Sequence, residues 1–287
     1  MAKAGAVVYE YYKNEFAESC GNSALCGWFV LFLYGYITKR GIFMGWEEYL
    51  IFLGAILLCA VFAAYASGKV RKTFDAFSHV DCASKMTGYD TARRLLRANG
   101  ITDISVGKVR GTLTDHYHPK KKQVNLSESV YGACSVGAVA VAAHEIGHVV
   151  QKKKGYFPYR LRTALVPVVN IGSRLALPLV LVGVLLDLLV VSAQESGVGF
   201  TLAIVGVCLY GAATLFQLVT LPVEWNASKR AKQMLLEEGI LTESELSGAD
   251  KVLSAAALTY VAGLLSSLVY FLRFFVWVLA IFGRRRR

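Results

Sequence analysis

Apolar residues fall along this chain in long uncharged runs, not at the regular spacing of surface helices or half-buried strands. Twenty uncharged residues, YLIFLGAILLCAVFAAYASG, separate Glu48 from Lys69. An α-helix rises 1.5 Å per residue, so about 20 apolar residues cross a hydrocarbon core of roughly 30 Å. The run predicts a transmembrane helix over Tyr49–Ser67. A second long run lies between Glu195 and Glu224, and Leu175–Val191 ahead of it is uncharged apart from Asp187. The very short connection around Gln194-Glu195-Ser196 predicts a transmembrane hairpin over 175–221. A further membrane helix is expected within 252–283, as Ala255–Leu272, Arg273 and Phe274–Phe282, followed by a basic tail, 284–287. Residues 1–48 form an N-terminal extension. Its apolar stretch Ala24–Ile37 suits an interfacial helix or a short span equally, and lacks the basic start and cleavage site of a signal peptide.

The polar remainder, 69–165, reads as a small α/β unit. Thr87-Gly88-Tyr89-Asp90 resembles a capping box opening the helix TARRLLRAN, which Gly100 closes. Ile101–Ser105, Lys108–Leu113 and Gln123–Leu126 read as short strands, with Pro119 and Lys120–Lys122 in a turn. Ser135 can cap the next helix, which begins VGAVAVAAHEIGHVVQ.

Composition narrows the class. Hydrophobic residues make up 55% of the 287 and charged residues 18%, against roughly 25% charged in ordinary soluble domains. A disordered chain is excluded, and a simple soluble enzyme is not expected. The six cysteines (Cys20, Cys26, Cys59, Cys82, Cys134, Cys208) are scattered with no C-x-x-C pair, and read as free thiols of a reducing compartment. The net charge of +11 is concentrated: Lys69–Arg162 holds 17 basic and 7 acidic residues. The positive-inside bias puts this block in the cytoplasm or its topological equivalent, and the hairpin returns the chain to the same side at Glu224. The arginine tail conflicts with it, because a single final span would leave the tail outside. Dispersed charges with no RNP, zinc-finger or GXXG pattern argue against nucleic acid. Lys152–Lys154, Arg160 and Arg162 read more simply as a rim facing the headgroups of a lipid bilayer.

Chemistry gathers at one place. Along an alanine/valine helix the polar residues His144, Glu145, His148 and Gln151 arrive together. Positions i and i+4 share a helix face, about 5–6 Å apart at Cβ, so His144 and His148 can grip one metal ion. Glu145 reaches the edge of that face, where it can serve a water. This is the H-E-x-x-H arrangement of zinc hydrolases. Burying two histidines and a carboxylate unpaired costs several kcal/mol, whereas zinc contributes roughly 10–16 kcal/mol in structural sites.

A third ligand must come from elsewhere. No Asp, Glu or His occurs from Val149 to Leu186. Asp187 and Glu195 fall on the wrong side of the hairpin, and position 154 is Lys154, which excludes the metzincin extension. The next carboxylate is Glu224, in LPVEWNASKRA, where Pro222 suits the first turn of a new helix in a third-ligand region, 222–251. His79, His116 and His118 stay open as rivals.

Several runs carry a family resemblance. LTDHYHPKKKQVNLSESVY, VAAHEIGHVVQ, RLRTALVPVVNIGSRLALPL, FQLVTLPVEWNASKRA and AAALTYVAGLL together resemble the YugP-like neutral zinc metallopeptidases of membranes, over roughly Tyr65 to Leu272. Glu224–Ser228 also looks like the E-x-x-x-D helix of the HtpX-like and CAAX-prenyl-protease-like gluzincins, with Ser228 where those relatives have Asp. The resemblance implies zinc held by His144, His148 and Glu224, with Glu145 as general base. The expected fold is mainly α and integral to the membrane: a multi-span bundle with a small zincin-like α/β catalytic region carrying HExxH on a helix.

The expected function is a membrane-embedded zinc endopeptidase acting on peptide or membrane-protein segments. Gln123, Val124, Asn125 and Leu126 are expected to offer a free strand edge to an extended substrate, with His116, Tyr117 or His118 as additional oxyanion donors. A zinc-binding scaffold without catalysis is one alternative. A transporter is the other, suggested by Asp187, Arg174 and Arg273 in or near apolar segments. Nothing in the sequence speaks to oligomeric state.

Overall fold

The computed structural model describes residues 46–190 and 196–283. The expectations for Ala24–Ile37, for Cys20 and Cys26, for the hairpin tip at Gln194-Glu195 and for the arginine tail lie outside the described residues.

Among the described residues, four helices are long and apolar enough to cross a membrane. The first, α1 (Trp46–Ser78), is continuous from the uncharged run into the polar block. Its apolar part leaves Leu50, Ile51, Leu57 and Leu58 exposed, as lipid-facing residues are. Beyond Lys69 it docks on the polar region, where Phe74 is buried in the core.

The polar region starts with α2 (Gly88–Ala98). Its capping box is formed: the Asp90 backbone N–H donates to Thr87 Oγ1, and Asp90 accepts from the Thr87 backbone. Strands β1 (Ser105–Val109), β2 (His116–His118) and β3 (Gln123–Ser127) follow. They form one sheet in the order β1-β3-β2, with β1 parallel and β2 antiparallel to β3.

This corrects two expectations. Ile101–Ser105 and Lys108–Leu113 are not two strands. A single strand straddles them, and the chain then turns through Gly111 and Leu113 at positive φ. Gln123–Leu126 has no free edge either, because β3 is the central strand with its backbone paired on both sides. The pattern could not reveal this, since β2 is three residues long and wholly His-Tyr-His.

One turn of helix, α3 (Glu128–Tyr131), leads to α4 (Val136–Lys153). Ser135 caps α4 by accepting from the Ala138 N–H at 3.2 Å. Nearly every residue of α4 is buried, because it packs against α1, α2, the sheet and two of the long helices. That is why the segment is apolar on all faces.

The hairpin consists of α5 (Phe157–Leu189) and α6 (Val198–Glu237). Helix α5 begins well before Leu175, so Arg160, Arg162 and Arg174 are all carried on it. The pair is in close contact through small residues: a Cβ on Gly183 would lie 2.5 Å from the Gly199 carbonyl oxygen, and one on Gly206 equally close to that of Ala176. Small residues let backbones approach where lipid gives no hydrophobic drive to association. Pro222 starts no new helix. It sits inside α6, whose 40 residues extend about 60 Å, well beyond a hydrocarbon core. A proline removes one helical rung, and neighbouring helices can satisfy the freed group.

The last helix, α7 (Glu243–Gly283), is also unbroken. Arg273 does not divide it; its guanidinium lies 5.0 Å from the ring centre of Phe52 on α1. The cysteines Cys59, Cys82, Cys134 and Cys208 are free thiols.

Candidate metal centre

The centre is built where α4 crosses the lower half of α6. His144 and His148 stand one turn apart on α4, with ring centres 4.7 Å apart and planes 85° to one another. Glu224 comes from α6, where the uncharged run ends, and is buried. Its Oε2 lies 3.2 Å from His144 Nε2 and 3.5 Å from His148 Nε2. One ligand atom from each of the three lies within 4.8 Å of the other two. Two imidazole nitrogens and one carboxylate oxygen are a donor set suited to zinc, and three protein ligands with an open fourth position mark catalytic rather than structural sites. The residues present fit the ion.

Each donor is aimed by a further contact. His144 Nδ1 is 3.1 Å from Ser228 Oγ, one turn beyond Glu224. His148 Nδ1 is 3.1 Å from Gln151 Oε1. Arg162, near the start of α5, donates from Nη1 to Glu224 Oε1 at 2.9 Å. The two oxygens of Glu224 are thus divided, one toward the histidines and one toward the guanidinium. Tyr260 on α7 turns toward Glu224, Arg162 and Glu145. Four helices therefore contribute to the centre.

Glu145 is buried beside the pair and no described side chain hydrogen-bonds it. Burial pushes its carboxyl up to about 7, with Glu224 and Asp115 acting in the same direction and the histidines His144 and His116 against it. A carboxyl with a pKa near neutrality can both take and return a proton at physiological pH.

The other candidates are not among the three converging ligands. His116 lies on β2 with both nitrogens engaged, Nδ1 at 2.9 Å from the Thr114 carbonyl and Nε2 at 3.1 Å from Asn125 Nδ2. His118 Nδ1 accepts from the Lys121 backbone, and His79 pairs with Asp75 on the exposed end of α1. Tyr117 packs against the core with its hydroxyl buried and unpartnered. Val124 and Leu126 are core residues, whereas Gln123 and Asn125 are half-buried. Asp187 is 25 residues beyond Arg162 on α5, about 37 Å along the helix.

Sequence reasoning did not assign Arg162, Tyr260 or Asp115 to the centre or its surroundings. Asp115 accepts from both the backbone N–H and the hydroxyl of Ser127, locking the start of β2 to β3. Only Gln151 left a signal, as the last of four polar residues on an apolar helix.

The chain is also similar to known proteins. The "Putative membrane protease YugP" of Bacillus subtilis (strain 168) is 48% identical over 210 residues, covering 73% of this chain and 88% of the relative. No solved structure matches the chain. Residues 50–279 match the family described as "Putative neutral zinc metallopeptidase", and the chain belongs to that family.

Proposed function

We propose that the protein is a zinc-dependent endopeptidase of the gluzincin type, cutting peptide or membrane-protein segments at the lipid boundary. One observation carries the reading: His144, His148 and Glu224 converge beside a buried carboxylate, Glu145, that no side chain among the described residues hydrogen-bonds. A structural metal site needs no such group.

Zinc held by His144, His148 and Glu224 would supply Lewis acidity toward a carbonyl oxygen and toward water. Glu145 accepts the proton of the attacking water and returns it to the leaving amine. Arg162 orients Glu224 by holding its other oxygen. Strand β2, with its outer edge unpaired in the sheet, takes over the substrate role first expected of β3, since an extended segment can add to a free edge. The basic block Lys69–Arg162 supports a cytoplasmic position for the catalytic region.

The test is metal analysis and peptide cleavage by the purified full chain. One zinc per chain, turnover abolished by a chelator and restored by zinc, and a loss of at least about 10²-fold in Glu145→Gln with zinc retained are expected. Zinc with no turnover in the unaltered chain against a broad peptide pool would favour the scaffold reading. Equal turnover in Glu145→Gln would remove Glu145 from the mechanism.

A further inference from the structure

The side chain of Gln151 is fully buried between α4 and α6, and its orientation is determined by what surrounds it. Its Nε2 lies 2.7 Å from the Val223 carbonyl oxygen and 3.0 Å from Asn226 Oδ1. A peptide carbonyl only accepts, so this end of the amide must be the NH2 group. Asn226 is held the same way, because its Oδ1 also accepts from Arg230 Nε at 2.7 Å and a guanidinium only donates. Gln151 Oε1 therefore faces His148 Nδ1, and an oxygen there calls for a proton on that nitrogen.

The consequence lies on the other side of the ring. A neutral imidazole carrying its proton on Nδ1 has its lone pair on Nε2, the atom directed at Glu224 Oε2. Free imidazole side chains favour the opposite tautomer. His144 has no comparable lock, since the Ser228 hydroxyl can donate or accept. The same amide that sets His148 also holds the carbonyl of Val223, the residue before Glu224.

We infer that Gln151 is a positioning residue which fixes the tautomer of His148 and ties the second ligand to the turn of α6 that carries the third. The inference rests on the zinc reading for its purpose, but the tautomer lock is a property of the metal-free chain and is measured there.

The experiment uses the full chain labelled with 15N-histidine, metal-free, at about pH 9, where imidazoles are neutral. His148→Asn assigns the His148 signals. Unaltered protein is expected to show His148 protonated on Nδ1. Gln151→Met keeps the length but removes every hydrogen bond, and should shift His148 toward the Nε2-protonated form while His144 stays as it was. Gln151→Glu keeps an acceptor facing Nδ1 and should retain the original tautomer. Zinc affinity, measured against a chromogenic chelator, should fall about 10–100-fold in Gln151→Met.

An unchanged His148 tautomer in Gln151→Met would overturn the inference, as would unchanged zinc affinity in that variant. Should Gln151→Met fail to fold, Gln151→Glu decides alone: Nδ1 protonation supports the lock and Nε2 protonation overturns it. Absence of zinc binding in the unaltered chain would instead sink the metallopeptidase reading, with the tautomer result standing apart from it.

Discussion

Gly147 lies so close to Ala227 that a Cβ on it would stand 2.6 Å from the Ala227 carbonyl oxygen. The obstructing atom is backbone, so no side chain can swing aside. This contact is the crossing point of α4 and α6, with His144 and His148 flanking it on one helix and Glu224 and Ser228 on the other. The glycine between the two histidines therefore sets how near the third ligand comes. Gly147→Ala should push the helices apart and cost about 1–3 kcal/mol by overpacking. Thermal unfolding in detergent and zinc content per chain check this, and full zinc occupancy with unchanged stability would refute it.

Arg162 is the donor to Glu224 Oε1, and the carboxylate is almost fully buried. Arg162→Met takes this charged donor away from that oxygen. The metal-free protein should lose about 1–3 kcal/mol, toward the lower end because the guanidinium is 27% exposed. Added zinc should shrink the difference, since a cation at Oε2 offsets the carboxylate charge. Unfolding curves of both proteins with and without zinc supply the comparison.

Ser228 stands 3.1 Å from His144 Nδ1. Replacing Ser228 with Ala should weaken zinc by about tenfold, the low end for a residue that orients a ligand. Chelator competition measures it, and an unaltered affinity would show that the hydroxyl does not orient the ring.

Metal removal should lower the unfolding temperature. A ligand present at 100 times its Kd stabilises by about 2.7 kcal/mol when it binds only the folded state. The unaltered chain should show a rise with zinc that Glu224→Ala lacks, because only the three-ligand set closes across two helices. Scanning calorimetry with zinc and with chelator tests this.

Asp103, ahead of β1, bonds Lys153 at the end of α4 and Lys122 ahead of β3. The hydrogen bond from Lys153, then that from Lys122, holds its carboxyl down at about 2, below the ordinary value of 3.8. A carboxyl whose pKa is lowered on folding stabilises above its unfolded pKa, and that contribution fades as pH falls toward the folded one. The stability gap between the unaltered chain and Asp103→Asn should thus be present at neutral pH and close between pH 3.8 and about 2. The group is exposed, so the gap should be small and shrink further in salt.

Much of the architecture could be read from local pattern. The capping box at Thr87 and the cap at Ser135 are short-range arrangements, and both form. Uncharged length identified the four long helices, though not their ends. Helices α5 and α6 extend into the polar region because the protein, rather than lipid, buries those turns, and residue charge does not distinguish the two. Pro222 misled for the same reason: a proline is a local stop signal, and packing against α4 and α5 overrides it. The sheet was least legible. Whether Gln123–Ser127 is central or at an edge depends on where three residues, His116–His118, return to pair.

What the chain determined by itself is therefore everything set within a few residues. The helical period brings His144 and His148 onto one face, and the absence of acids from Val149 to Leu186 leaves Glu224 as the next carboxylate on the same side. What only the tertiary structure decided is how separate elements meet. It selected which oxygen of Glu224 faces the histidines, brought Arg162 to the other, aimed Gln151 at His148 and placed β3 in the middle of the sheet. Those choices depend on backbone approach and on the geometry of buried donors and acceptors between segments, and a one-dimensional pattern of residue types does not carry distances of that kind.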